Sequence, residues 1–102
     1  MPNTLTNYTS QNVGTTPITV YTVPASTTGT IVGLNMANTT ATQIDVDVQV
    51  AGVYLVKGVP IPANSSLSVL DGKLVVKTTE TVVVTSSAAT SVDAILSVLE
   101  QS

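Results

Sequence analysis

The stretch Gln43-Ile44-Asp45-Val46-Asp47-Val48-Gln49-Val50 decides the fold. Ile44, Val46, Val48 and Val50 take one side of it, and Gln43, Asp45, Asp47 and Gln49 take the other. Successive side chains of a strand point to opposite faces, so this alternation is a strand with one face on a core and one in water. Ala51-Gly52 follows as a tight connection, and the apolar run over 53–59 returns as the second strand of a hairpin. Pro60-Ile61-Pro62 is expected to break that ladder, because proline has no N–H to give.

Outward from this hairpin the same chemistry repeats. On the N-terminal side, Ile18, Val20 and Thr22 alternate with Thr19, Tyr21 and Val23 before Pro24 closes the strand. A Ser/Thr/Gly turn over 26–29 leads to a strand over 30–37 around Ile31, Val32, Leu34 and Met36. On the C-terminal side, strands are expected over 66–70, 73–77 and 81–85, separated by Asp71-Gly72, residues 78–80 and the cluster over 86–91. Residues 92–99 are ambiguous. Val92, Ile95, Leu96 and Leu99 fall at helical spacing, yet Val92, Ala94, Leu96 and Val98 also alternate against Asp93, Ile95, Ser97 and Leu99. Strand is the preferred reading, a chain-terminal one buried on both faces. Seven or eight strands result, hence an all-β chain: a single antiparallel β-sandwich or Greek-key barrel over 17–102.

Composition agrees. The chain has 102 residues, room for one small domain, and 18 Val and 18 Thr make up over a third of it. Both are β-branched, stiff in helices and well suited to a pleated, half-buried surface. Charged residues are only 9%, far below the roughly 25% usual for soluble domains, so solubility rests on Thr, Ser, Asn and Gln. So little charge suits a chain that works inside an assembly.

The same counts exclude much chemistry. Without Cys or His there is no thiol nucleophile, no disulfide, no imidazole acid–base catalysis and no ordinary structural zinc site. A net charge of −3 and the absence of Arg argue against a nucleic-acid partner, which demands a positive surface. No stretch approaches the ~20 apolar residues that span a bilayer, and residues 1–14 lack the basic start and apolar run of a signal peptide. The expectation is a product made in the cytoplasm, with no membrane partner.

Residues 1–16 are polar, with only Leu5, Tyr8 and Val13 as apolar anchors. They read as an N-terminal arm, flexible in isolation or ordered by a partner, with those three side chains as candidate partner-binding residues. Tyr8 stands out, since a lone aromatic on a polar arm is a natural anchor in a neighbour's pocket. Removing the arm is expected to leave the domain folded.

Other candidates are better explained as structure. Asp45 and Asp47 lie about 7 Å apart on one wet strand face, too few oxygens for a calcium site that wants six or more. Lys57, Lys73 and Lys77 read as solubility or edge-protecting charges, or as salt-bridge donors to a neighbouring subunit. Ser86-Ser87 matches no nucleophile motif and reads as a turn. The Thr-x-Thr pairs are irregularly spaced and build no ladder, and three tyrosines are too few for a sugar-stacking surface. No catalytic residue, metal site or cofactor is expected.

A series of segments gives the chain a likeness. Tyr21-Thr22-Val23-Pro24-Ala25, Gly33-Leu34-Asn35-Met36-Ala37-Asn38, Tyr54-Leu55-Val56-Lys57 and Pro60-Ile61-Pro62 come in that order. Ser65-Ser66-Leu67, Asp71-Gly72-Lys73-Leu74-Val75, Ser86-Ser87 and Ser91-Val92-Asp93-Ala94-Ile95-Leu96-Ser97-Val98-Leu99-Glu100 follow. From about Thr19 to Glu100 the chain resembles the small β-sandwich virion structural proteins of tailed bacteriophages. The resemblance implies a non-enzymatic part of the virion, foremost a capsid decoration (cement) protein. Its expected partners are copies of itself, a trimer being favoured, and the major capsid protein or other virion structural proteins. A neck, collar or tail-attachment protein is the alternative reading, and a glycan-binding adhesive module a more remote one.

Overall fold

The computed structural model describes residues 3–68 and 73–101. They form nine strands: β1 Asn3–Val13, β2 Ile18–Thr22, β3 Thr28–Asn38, β4 Ile44–Val50, β5 Val53–Ile61, β6 Ser66–Ser68, β7 Leu74–Val76, β8 Thr81–Ser86 and β9 Val92–Gln101. The expected Asp71-Gly72 turn and the end of the 66–70 strand lie outside the described residues.

Two antiparallel sheets face each other. The first, here sheet A, runs β1-β9-β3-β6, with β7 also on β3; the second, sheet B, runs β2-β8-β4-β5. The chain is therefore an all-β sandwich. Between the sheets lie Val13, Ile31, Leu34, Met36, Val76, Val92, Leu96 and Val98 from one side and Val20, Tyr21, Ile44, Val46, Val48, Ile61, Val82 and Val84 from the other, all buried. The alternation over 44–50 is realised as read: Ile44, Val46 and Val48 are buried, while Asp45 is exposed. Ala51 and Gly52 both take positive φ, 53° and 80°, the backbone a two-residue hairpin requires.

Residues 92–99 are a strand, and the central one of sheet A between β1 and β3. Its inner positions Val92, Ala94, Leu96 and Val98 fill the core, which a helix at that place would leave without ladder partners for β1 and β3. Pro60 does not end its strand. It sits within β5, an edge strand of sheet B, where a missing N–H is tolerated.

The largest correction concerns the expected arm. Asn3–Val13 is an edge strand of sheet A, paired antiparallel with β9 from Asn3↔Gln101 to Val13↔Val92. A bulge between Ser10 and Val13, with Asn12 at φ 56°, ends the regular part of the ladder. Asp93 holds that bulge by accepting the Asn12 N–H at 3.0 Å. The physical reason is that β9 needs a second ladder partner, and β1 supplies both that and core side chains. Removing residues 3–13 therefore strips the domain of a strand instead of sparing it.

Candidate assembly surface

The register of sheet A sorts its side chains into an inner and an outer set. On the outer side, Leu5 lies opposite Leu99, Leu99 opposite Thr30, and Thr30 opposite Val75, a row of four across β1, β9, β3 and β7. The next row is Asn7, Ser97 and Gly33, and the one after it Thr9, Ile95, Asn35 and Ser68. Val32 is the extra residue of a bulge in β3 and stands exposed beside them. Leu5, Val75 and Ile95 are 71%, 60% and 47% exposed. Among the described residues paired in these rows and the adjoining Asp93–Ala37–Ser66 row, Asp93 is the one charged side chain.

A shallow depression lies within the face, lined by Leu5, Thr6, Asn7, Val32 and Ser97. Its floor is low because Ser97 is small and Gly33 has open space where a side chain would stand. The result is a shallow surface of Thr, Ser and Asn with apolar side chains among them, bordered by Asp93 at one end and by Lys73 and Lys77 on either side of Val75 in the sequence. Leu5 and Leu99 adjoin in it, Val75 lies beyond Thr30, and Ile95 stands between Thr9 and Asn35; exposed apolar side chains gathered on one face are the material of a contact site.

The three candidate anchors fall in three different places. Leu5 lies on this outer face. Tyr8, an odd number of positions further along the strand, points to the other side and packs on its own domain. Its ring lies 4.6 Å from that of Tyr21, centroid to centroid, and its hydroxyl donates to Glu100 Oε2 at 3.0 Å. Val13 is fully buried in the core. Only Leu5 is therefore placed to meet a partner; Tyr8 and Val13 are corrected to structural residues.

Tyr21 donates to the same Glu100 oxygen at 2.7 Å. Two phenols thus converge on one carboxylate and tie the last turn of β9 to β1 and to sheet B. Burial raises the Tyr21 hydroxyl well above the usual phenol range, and the hydrogen bond and negative charge of Glu100 add to it. Tyr8 moves the same way for the same causes. Gly29 leaves room for this cluster, since a Cβ there would stand 3.2 Å from the Tyr21 hydroxyl and 3.1 Å from a Val76 methyl.

The aspartates of β4 serve the outer side of sheet B. Asp47 Oδ1 accepts the Gly58 N–H at 2.6 Å and so caps the bulge in β5, where Gly58 takes φ 65°. The Asp45 N–H donates to Ser87 Oγ at 2.9 Å, and its carbonyl accepts the Ser87 N–H. The Lys57 ammonium lies 4.6 Å above the ring of Tyr54. These polar groups are engaged in shaping loops and bulges.

The apolar outer rows had a trace in the sequence. Ile95 and Leu99 break the polar half of the β9 alternation, and the burial on both faces expected of that strand is corrected here, since Ile95 is half exposed. One of those faces is the core; the other has no cover among the described residues. Val32 and Val75 gave no comparable signal, since each sits in a short run apolar on both sides.

No family model matches the chain, and no curated protein matches it. A solved structure described under the words "Bacillus endospore appendages form a novel family of disulfide-linked pili" is similar over 98% of this chain and 88% of that one. The identity is 14% and the TM-score 0.46, a likeness that carries no argument about function.

Proposed function

We propose that this chain is a non-enzymatic virion structural protein, a capsid decoration protein that binds between major capsid subunits and stabilises the phage head. The observation that supports an assembly role is the outer face of sheet A, where Leu5, Val75 and Ile95 stand exposed among uncharged Thr, Ser and Asn. The resemblance to small phage virion proteins is what favours the head of a phage as the assembly. The mechanism is added contact area: each copy bound across neighbouring subunits stabilises the assembled shell by mass action. Low charge favours dense repetition, because closely packed copies of a highly charged protein repel one another.

A structural role also fits the way buried polar groups are used. Asn38, Ser86 and Ser91 are engaged in loop hydrogen bonds. The Asn38 amide donates to the carbonyls of Thr42, Ile61 and Pro62. Ser86 and Ser91 bond each other, and Ser91 reaches the Ala88 carbonyl.

Quantitative mass spectrometry of purified virions tests the reading by counting this protein against the major capsid protein. A count comparable to the capsid protein is expected. A count near that of a single ring would move the protein to the neck or tail, and absence from the particle would end the virion reading.

A further inference from the structure

The face described above ends at β1, an edge strand with one side unpaired among the described residues. Alternate N–H and C=O groups along such a strand point away from its neighbour and stand ready for another strand. The other edges in the described residues each carry a device against pairing. β5 contains Pro60, Lys57 and register shifts, and β2 is five residues long, bulged, and lies between Pro17 and Pro24. β6 and β7 are three residues each, and Lys73 and Lys77 flank β7. β1 has no proline and no charge anywhere in Asn3–Val13; Pro2 stands just before it in the sequence, and its one bulge, between Ser10 and Val13, lies beyond the segment around Leu5.

Its sequence is also its own complement. Asn3-Thr4-Leu5-Thr6-Asn7 reads the same in both directions about Leu5. In an antiparallel pair with a two-fold axis at Leu5, Leu5 faces Leu5 of the second copy, Thr4 faces Thr6, and Asn3 faces Asn7. Thr–Thr pairs and apolar pairs are favourable directly across a ladder, and no charge meets its like. Register carries the consequence across the sheet. Val75, Thr30, Leu99 and Leu5 form one row in each copy, so pairing at Leu5 joins two such rows end to end.

We propose that β1 is a homotypic docking edge: two copies of this chain pair β1 to β1, antiparallel about Leu5, and fuse their sheets A into one continuous sheet. The occupant is a second copy because a strand whose sequence is symmetric and uncharged suits itself, with a closed two-fold contact as the result. This inference needs only the edge and its register; it does not rest on the virion reading, and it calls for a dimer where the resemblance favours a trimer.

Sedimentation of the full chain over a range of concentrations tests it. Wild type is expected to form a concentration-dependent dimer. Leu5→Lys and Leu5→Glu each place like charges opposite one another and are expected to weaken dimerisation at least about tenfold. Mixed one to one, the two variants are expected to recover a dimer. Because Leu5 is exposed, both should fold, which circular dichroism checks. Independently of any variant, isotope-filtered NMR on mixed labelled and unlabelled wild type should show Leu5 methyls in contact between copies. A wild type that stays monomeric, a trimer, a variant that dimerises as well as wild type, or no Leu5 contact between copies would each overturn the proposal.

Discussion

The two outer faces of this sandwich cover the same core and differ in how much charge they carry. Sheet B turns Asp45, Asp47, Gln49, Thr19 and Thr85 outward around Val83, and its exposed Tyr54 lies under the Lys57 ammonium. Sheet A turns out Leu5, Leu99, Val75 and Ile95 among Thr, Ser and Asn. A sandwich is held by its inner faces, so sheet B displays what the fold itself asks of an outer face. The apolar rows of sheet A are a surplus that folding does not account for. The contrast runs even through β9, where Leu96 is fully buried and its neighbour Ile95, equally apolar, is 47% exposed.

That comparison can be broken by mutation, and the inner side gives the largest effects. Leu96→Ala opens a cavity in the central strand and is expected to cost about 2–5 kcal/mol in denaturant unfolding. A loss below about 1 kcal/mol would mean that the core is not centred where the register puts it. Asn38→Ala strands the carbonyls of Ile61 and Pro62 and the Thr40 groups that bond its Oδ1, at an expected cost of about 1–3 kcal/mol in the same measurement.

Tyr21→Phe removes one of the two donors to Glu100 and is expected to cost about 1 kcal/mol near neutral pH. It also changes the alkaline limb. The Tyr21 hydroxyl is raised in the folded state, so above pH ~10 the unfolded chain releases that proton first and stability falls as pH rises. Unfolding midpoints measured from neutrality upward should show this decline beginning near pH 10 in wild type and blunted in the variant. An identical alkaline decline in both would assign it elsewhere.

The smallest stability effect belongs to the outer face of sheet A. Ile95→Ser and Val75→Ser are expected to change unfolding free energy by no more than about 0.5 kcal/mol while weakening attachment to particles in a co-sedimentation assay. If they instead destabilise the domain like Leu96→Ala, the face is part of the core and the contrast collapses.

How far the sequence revealed this depends on whether an element's faces differ. In β4, Val and Ile alternate with Asp and Gln, and strand, buried face and hairpin were all legible. In β1 the apolar residues Leu5 and Tyr8 are three apart and fall on opposite faces, and Thr, Asn, Ser and Gln fill the rest up to Val13. No period of two survives there, and an edge strand reads as an arm. The bond from Tyr8 to Glu100 spans 92 residues and that from Tyr21 spans 79, separations at which no local pattern points to a partner. The outer rows of sheet A lie between these cases. Ile95 and Leu99 declared a second apolar face, but only the three-dimensional register aligns Leu99 with Leu5, Thr30 and Val75.

Hydroxyl-radical footprinting of the protein, free and mixed with the phage heads proposed as its partner, tests the central claim most directly. Side-chain oxidation is read on both outer faces at once. Leu5, Val75 and Ile95 are expected to be protected on assembly while Tyr54 on sheet B stays as reactive as in the free protein. Unchanged reactivity across sheet A, or protection confined to Tyr54, would contradict it.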